Sequence, residues 1–227
     1  MKFIVPAKRG SSRVREKNYR HFAMGQSLLD ILVTKLVRVA DHPRDVYLSS
    51  EDEAARVVAD KFGVSFIARE PRLTENAYPF QSVVNEVCRQ VPGEDEVMWC
   101  HATDPLFDDH ESVVKHWASR DPAAVDSVVV VYPIRDYILD ANFNPMGFGF
   151  GPWHRASQDL PMFYQLGFTC SIVTRHVATK IGLVGRQPSW HLASNLTVDI
   201  DTQEQFDFAA RLYELTHSST TRPHVDA

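Results

Sequence analysis

Two groups of charged residues, near opposite ends of the chain, have side chains of the types that bind phosphate and metal ions. The first twenty residues hold seven basic side chains and a single acid, Glu16. The second group is the pair Asp199 and Asp201, which flank Ile200. Lysine and arginine bind anions, and carboxylate oxygens are common ligands of hard divalent cations. The two groups together indicate a site for a phosphate-bearing ligand and a metal ion.

The basic residues directly follow an apolar run of strand length, "KFIVPA". In a parallel α/β sheet, ligands bind at the carboxyl ends of the strands, and the loop after the first strand is the usual place for phosphate. Gly10 and Ser11 let backbone amides approach an anion, and Lys8, Arg13 and Lys17 can reach it from several directions. This pattern predicts a phosphate cradle, with a solvated basic surface loop as the alternative.

The carboxylate pair lies in the run "LTVDID", which has the pattern of a strand. Residues two apart on a strand point to the same face, so Asp199 and Asp201 would share one side while Ile200 turns into the core. Two like charges held that close are unfavourable unless something neutralises them. Magnesium commonly binds through one or two carboxylates plus substrate phosphates. We therefore expect a Mg²⁺ site, with Mn²⁺ as a substitute; the alternative is a solvated strand end.

Two standard nucleotide fingerprints are missing from the sequence. No G-x-G-x-x-G follows the first strand, and G-x-x-x-x-G-K-[ST] occurs nowhere. This argues against an ordinary dinucleotide-dependent dehydrogenase and against a P-loop NTPase.

The elements that must position these groups follow an alternating pattern. Apolar runs of strand length alternate with helical periodicity, which predicts an α/β fold: a three-layer, Rossmann-like, mostly parallel sheet with helices on both faces. The pattern breaks over residues 135–166, which hold much of the glycine and aromatic content and predict an excursion from the sheet. We expect one domain over residues 1–215 and a disordered tail over 216–227.

Composition narrows the class of protein. The 227 residues are 44% hydrophobic, enough to bury one substantial core, and the net charge of −5 disfavours nucleic acid and anionic membranes as partners. Three widely spaced cysteines fit neither a disulfide framework nor a zinc knuckle, which indicates a reducing compartment. We see no leader and no apolar run near 20 residues, and so expect a cytoplasmic protein.

The opening stretch "VPAKRGSSRVREKN", residues 5–18, resembles a family motif. The motif is I-P-A-R-G-G-S-K-x-I-P-x-K-N, from the cytidylyltransferase family of CMP-sialic acid synthetases and their relatives that activate pseudaminic acid or Kdo. The residues that fall on its positions are Lys8, Gly10, Ser11, Lys17 and Asn18. Lys8 replaces the usual arginine and keeps the charge but not the planar fork, and Arg15 replaces a proline.

Four later segments resemble the family's other motifs in the same order. They are "YLSSEDEAARVVADKFGVSFIAR", "HATDPLF", "SQDLPMFYQLG" and "VDIDTQEQF". The resemblance covers roughly residues 2–210. It implies the nucleotide-diphospho-sugar transferase type of fold, with CMP transferred from CTP to a small acidic acceptor and pyrophosphate released.

The resemblance also implies roles for individual residues. Catalytic roles fall on Lys8, Arg13, Lys17, Asp199 and Asp201, and the two aspartates are the implied metal ligands. Nucleotide contacts are implied for Pro6, Ala7, Lys8, Gly10, Ser11, Asn18, Arg69 and Ser82, and acceptor contacts for His101, Thr103, Gln158 and Tyr164. Arg69 has a surface arginine as its alternative, and Asn18 a simple turn residue.

The acceptor implied by the resemblance is a ulosonic acid such as a sialic, pseudaminic or legionaminic acid. Three departures from the family pattern, His101 for glutamine, Leu166 for asparagine and Gln205 for an acidic residue, leave a phosphonate or other phosphorylated acid as the alternative. A non-enzymatic nucleotide-binding module is the alternative of another class, and the presence of both aspartates counts against it. A sugar-1-phosphate nucleotidyltransferase is a further alternative, but its first loop is usually more glycine-rich than the first loop of this chain.

The resemblance implies that the excursion over residues 135–166 is the element that forms a homodimer. The alternative is a lid over the acceptor.

Overall fold

The computed structural model describes residues 1–11, 13–75, 77–93, 96–194 and 197–218. Within these ranges the chain forms a seven-stranded sheet with the strand order β3-β2-β1-β4-β6-β5-β7. The strands are β1 Lys2–Pro6, β2 Val46–Ser50, β3 Ser65–Ala68, β4 Val97–Cys100, β5 Ser127–Ile134, β6 Phe163–Val173 and β7 Pro188–Leu192. The α-helices are α1 Leu28–Val39, α2 Glu53–Phe62, α3 Phe80–Gln90, α4 His110–Ser119, α5 Arg175–Lys180 and α6 Gln203–Ser218.

The sheet is mostly parallel, as the alternating pattern predicts. β1 pairs in parallel with β2 and β4, β2 with β3, and β5 with β7. The exception is β6, which runs antiparallel to both β4 and β5. All strands except β6 therefore run in the same direction, and their carboxyl ends meet at one edge of the sheet. The loops after β1 and β4 lie side by side at that edge.

Helices cover both faces of the sheet, which makes three layers. Alternate residues of β1 enter different cores: Phe3 and Val5 pack on one face and Ile4 on the other. The first core is closed by apolar residues of α1, α2, α4 and α6, and the second by residues of α3 and α5. The predicted α/β architecture is confirmed.

One predicted strand is wrong and another was missed. Described residues 197–201 of "LTVDID" are in no strand, and Leu196 lies outside the described residues. The backbone there has other partners: the Ile200 amide donates to the Thr103 carbonyl at 2.8 Å, and the Asp201 amide donates to Gln205 Oε1 at 2.8 Å. The seventh strand is instead β7. It begins with Pro188 at the sheet edge, where a missing N–H costs no ladder bond.

The predicted excursion is four residues too long. β5 and β6 pair as far as Ile134 and Phe163, so residues 163–166 belong to the sheet and the excursion runs over 135–162. At the carboxyl end of the chain, α6 continues to Ser218, three residues beyond the predicted end of the domain. The remainder of the predicted tail, 219–227, lies outside the described residues. None of the described helices is both long and apolar enough to span a membrane.

Candidate active site

A cavity of about 500 Å³ opens at the carboxyl ends of β1 and β4. The residues singled out from the sequence that line it are Pro6, Lys8, Ser11, Arg13, Lys17, Asn18, Arg69, His101 and Thr103. These residues come from the loop after β1, the end of β3 and the end of β4. Strand topology brings these three stretches together, because the strands that carry them run in parallel and end at the same edge.

The two charged groups seen in the sequence meet beside this cavity: Arg13 and Lys17 line it, whereas Asp199 and Asp201 are not among its lining residues. Arg13 forms an ion pair with Asp201, with 2.7 Å between Nη2 and Oδ1. Lys17 Nζ lies 3.7 Å from the same Asp201 oxygen and also donates a hydrogen bond to the Ile200 carbonyl. Burial lowers the pKa of Lys17, although the Asp201 charge opposes that shift. Residues nearly two hundred positions apart in the chain are therefore in direct contact.

Ile200 is fully buried, as expected, while Asp199 is exposed and Asp201 is half-buried. The two carboxylates thus stay outside the core even though the segment is not a strand. No group of three or more histidine, cysteine or acidic residues that could hold a metal occurs in the described parts of the chain. A donor set of two carboxylates beside phosphate-binding cations nevertheless suits Mg²⁺, which usually takes few protein ligands and completes its shell with phosphate oxygens and water.

Arg69 is a buried residue, which excludes the surface alternative. Its side chain is 4% exposed, and Nη2 donates to the Ala7 carbonyl at 3.1 Å and to Glu51 Oε2 at 3.2 Å. The other Glu51 oxygen accepts the Arg9 amide at 2.9 Å. Arg69 and Glu51 therefore fasten the start of the basic loop to the end of β3. Glu51 was not singled out from the sequence, since one acid among several at a helix start carries no distinct signal.

Asn18 stabilises the basic loop through hydrogen bonds. Its Nδ2 donates to the Lys8 carbonyl at 3.4 Å, and its backbone carbonyl accepts the Leu29 amide at 3.2 Å. Asn18 Oδ1 is buried and has no hydrogen-bond partner among the described residues. A buried acceptor without a partner is costly, so this oxygen would gain from a hydrogen-bond donor, and Asn18 itself lines the cavity.

Aromatic side chains form one wall of the cavity. Phe80 is 49% exposed and meets the Trp99 ring edge-on, with centroids 5.9 Å apart. His101 lies beside both rings, and its Nε2 accepts the Trp99 indole N–H at 3.0 Å. Burial lowers the pKa of His101 to about 4. Tyr78 also lines the cavity. Sequence reasoning missed Tyr78 and Phe80, because aromatic residues at a helix start have the pattern of ordinary core residues.

Comparison with known proteins gives the family. Residues 2–144 match the family described as cytidylyltransferase. The chain belongs to the cytidylyltransferase family. It is therefore a nucleotidyltransferase, and the recognition based on the sequence motifs is confirmed.

Two relatives of this cytidylyltransferase span most of its length. It is 26% identical to a pseudaminic acid cytidylyltransferase of Campylobacter jejuni subsp. jejuni serotype O:2, over 95% of this chain and 97% of the relative. It is 19% identical to an N-acylneuraminate cytidylyltransferase of Streptococcus agalactiae serotype III, over 89% of this chain and 51% of that protein.

Solved structures share the fold. The structure of CMP:2-keto-3-deoxy-manno-octonic acid synthetase complexed with CTP superposes with a TM-score of 0.67 at 14% identity, over 95% of this chain and 98% of that chain. This similarity confirms the predicted nucleotidyltransferase type of fold.

The remaining candidate residues of the cytidylyltransferase do not line the cavity. Three of them lie next to lining residues in the chain, and two lie elsewhere. Ala7 and Gly10 belong to the loop after β1 without lining the cavity, and Ser82 lies in the first turn of α3 between the lining residues Phe80 and Val83. Gln158 and Tyr164 are not at the cavity: both are exposed, and the Gln158 carbonyl accepts a bond from Arg135. Within a single chain, the structure does not bring these last two residues to the site.

A polar cluster that sequence reasoning missed lies beneath the site. Asp104 follows Thr103 and is 5% exposed, and its Oδ2 accepts the Tyr132 hydroxyl at 2.6 Å and the Thr169 hydroxyl at 3.1 Å. Burial raises the pKa of Asp104. The cluster ties the loop after β4 to β5 and β6. It therefore supports the Thr103 carbonyl that receives Ile200.

Proposed function

We propose that this cytidylyltransferase transfers CMP from CTP to a hydroxyl group of a small acidic acceptor and releases pyrophosphate. The acceptor class is a ulosonic acid such as a sialic, pseudaminic or legionaminic acid. The observation that carries the proposal is the contact that two cavity-lining cations, Arg13 and Lys17, make with Asp201 in the segment that bears both aspartates. The names of the relatives support the same acceptor class.

Displacement at the α-phosphorus of a nucleotide requires positioning and charge neutralisation rather than covalent participation by the protein. Lys8, Arg13 and Lys17 lie at the cavity wall and would bind the triphosphate and stabilise the departing pyrophosphate. Lys17 is held in place by the Ile200 carbonyl, so its charge is preorganised before the nucleotide arrives.

Asp199 and Asp201 would hold Mg²⁺. When bound, the ion would withdraw charge from the α-phosphate. Without a ligand, Asp201 is neutralised by Arg13 and Lys17. As the nucleotide binds, Arg13 would turn to phosphate oxygens, and Lys17, still held by the Ile200 carbonyl, would donate its other N–H groups to them. This leaves Asp201 available to the metal. The exposed Arg13 side chain has the freedom for this exchange.

Recognition of cytosine would depend on Asn18 and Arg69. The unpartnered, buried Asn18 Oδ1 complements the exocyclic amino group of cytosine, whereas uracil has a carbonyl oxygen at that position. The Arg69 guanidinium lines the same cavity and can donate to ring acceptors. This arrangement favours CTP over UTP, because an unsatisfied buried acceptor facing a second acceptor would be penalised.

Pyrophosphate release tests the proposal. CTP, UTP, ATP and GTP would each be supplied with Mg²⁺ and a panel of sialic, pseudaminic, legionaminic and 3-deoxy-octulosonic acids and several phosphonates. We expect turnover with CTP and one of the ulosonic acids, and its loss in Asp201→Asn. Asp60→Asn, on the exposed side of α2, is the matched control and should retain activity. Turnover with a phosphonate only would assign the other acceptor class, and turnover with another nucleotide would contradict the proposal.

A further inference from the structure

Trp99 and His101 lie two residues apart at the end of β4, and their side chains bond to each other on one face of the strand. The Trp99 indole N–H can only donate, so the His101 Nε2 that receives it at 3.0 Å must carry no proton. An imidazole whose Nε2 is an acceptor is neutral and bears its proton on Nδ1. The tautomer of His101 is therefore set by Trp99.

The partnership is rigid on the Trp99 side. Trp99 is 1% exposed and packs in the core beneath α3, so its N–H cannot turn to another partner. The His101 backbone is also fixed, because its amide donates to the Thr169 carbonyl at 2.9 Å. The Phe80 ring, 6.2 Å from the His101 ring, limits its movement on the cavity side.

The second ring nitrogen of His101, Nδ1, is then a hydrogen-bond donor at the cavity. His101 lines the cavity, and its side chain makes no hydrogen bond other than the one from Trp99 among the described residues. Lys17 lines the same cavity as His101, and the charges of Asp199 and Lys17 both act on the imidazole. Under the proposed function these two residues hold the metal and the phosphates. The donor thus lies at the reacting end of the cavity, where the acceptor must approach the α-phosphorus.

We propose that His101 is a specificity-determining residue whose neutral imidazole, held in one tautomer by Trp99, donates Nδ1–H to an oxygen atom of the acidic acceptor. The inference rests on the proposed function and names a recognition element within it. A neutral donor adds directional binding without another positive charge beside Lys17. A protonated imidazole there would compete with the basic loop for the same anions.

The tautomer can be tested without turnover. Two-bond ¹H–¹⁵N correlation spectra of the ¹⁵N-histidine-labelled protein at pH 7 report which ring nitrogen carries the proton. We expect His101 to show a protonated Nδ1 and a bare Nε2, and Trp99→Phe to show a mixture of tautomers. A protonated Nε2 or a doubly protonated ring in the wild type would overturn the inference while leaving the proposed function untouched.

The binding role is tested by substitutions that differ in where they place a donor. His101→Asn puts an amide nitrogen near the position of Nδ1, His101→Gln puts it near Nε2, and His101→Leu removes it. We expect KM for the acceptor to rise about tenfold in His101→Leu, as for one lost hydrogen bond, and less in His101→Asn than in His101→Gln. KM for CTP should stay within about twofold in all three.

An equal rise for all three variants, or a rise in KM for CTP alone, would overturn the role assigned to His101. Absence of CTP turnover in the wild type would instead contradict the proposed function. In that case the labelled protein is titrated with each acid of the panel, and a shift of the Nδ1–H signal is expected only with an acid that binds. No shift with any acid would overturn the role of His101.

Discussion

Asp201 is the residue on which the charges of the site converge. Asp201 forms an ion pair with Arg13 at short range and with Lys17 at longer range. In the protein without a ligand, one carboxylate therefore pairs with two phosphate-binding cations. Nucleotide binding would exchange carboxylate for phosphate at both cations. The exchange replaces one set of charge-assisted bonds with another and leaves no buried charge unpaired.

Arg13 and Arg15 offer a matched test within the same loop. Arg13 lines the cavity, while Arg15 is exposed and does not. We expect Arg13→Gln to lower kcat/KM for CTP about a hundredfold, as for the loss of one group that stabilises charge in the transition state. Arg15→Gln should stay within about twofold. Equal losses in steady-state kinetics would show that the loop acts through its overall charge and not through Arg13.

At this scale the sequence predicted the residue types well and their contacts poorly. Lys8, Arg13 and Lys17 were identifiable because a basic loop after a first strand has one usual use. The pairing of Arg13 with Asp201 could not be predicted from the sequence, because it depends on the path of the chain after β7. Phe80 and Tyr78 were missed because an aromatic residue carries the same pattern whether it lines a cavity or fills a core.

The loop after β4 and strands β5 and β6 form the element that supports the site. Tyr132 on β5 holds Asp104 and Thr169 together, and its ring packs closely against Gly167 on β6, where a Cβ atom would come within 2.0 Å of Tyr132 Cε2. Because the hydroxyl of Tyr132 is fixed by the cluster, the ring cannot swing aside.

Gly167→Ala should therefore lower the free energy of unfolding by about 1–3 kcal/mol, the usual cost of overpacking a fixed neighbour. Gly149→Ala is the control, since nothing lies within 4 Å of a Cβ atom there. Urea denaturation followed by circular dichroism would give both values. Equal stability of the two variants would mean that Tyr132 is mobile, contrary to the bonded cluster.

His110 at the start of α4 gives a prediction about pH. It is 2% exposed, and neither ring nitrogen has a partner among the described residues. Burial lowers the pKa of His110 to about 3, against about 6.5 for an unfolded chain. Between these values the unfolded state binds a proton that the folded state does not, so stability falls as the pH falls below about 6.5.

His110→Phe should remove that part of the acid sensitivity. From pH 8 to pH 5 we expect the wild type to lose about 2 kcal/mol more than the variant. Urea unfolding of both proteins at several pH values measures the difference. Parallel pH profiles for the two proteins would show that His110 takes up its proton while folded.

Sequence periodicity predicted the alternation of strands and helices and the mostly parallel sheet, because those elements carry long apolar patterns. It failed at β7 and at residues 197–201 for different reasons. β7 is a short, half-polar edge strand that begins with Pro188, whereas the apolar residues around Asp199 only have the appearance of a strand. The second case is decided by a long-range hydrogen bond from the Ile200 amide to the Thr103 carbonyl and a local one from the Asp201 amide to the Gln205 side chain.

At the scale of the whole molecule, the excursion of residues 135–162 and the strands β6 and β7, which flank β5, carry several exposed apolar side chains. They include Phe143, Phe150, Phe168, Trp190 and Leu192, each close to half exposed or more. A surface of this kind marks an interaction site more often than a solvated one. We propose that it forms the interface of a homodimer, and that the excursion is the element that dimerises.

Light scattering should therefore give the molecular mass of two chains for the wild type. In the double variant Phe143→Glu and Phe150→Glu, we expect the mass to fall toward that of one chain. Val57→Glu is the control, because Val57 is equally exposed but lies on α2, away from this surface. A wild-type monomer at high concentration would contradict the interface and favour the lid alternative for the excursion.

The central claim is that the cavity at the ends of β1 and β4 is a CTP site, and calorimetric titration of the four nucleoside triphosphates tests it without knowledge of the acceptor. With Mg²⁺ present, we expect CTP to bind at least about tenfold more tightly than UTP, because Asn18 Oδ1 requires a donor, and Arg13→Gln to weaken that binding. Equal affinity for all four nucleotides would remove the role of Asn18 and Arg69 in recognition. No binding of CTP would contradict the account as a whole.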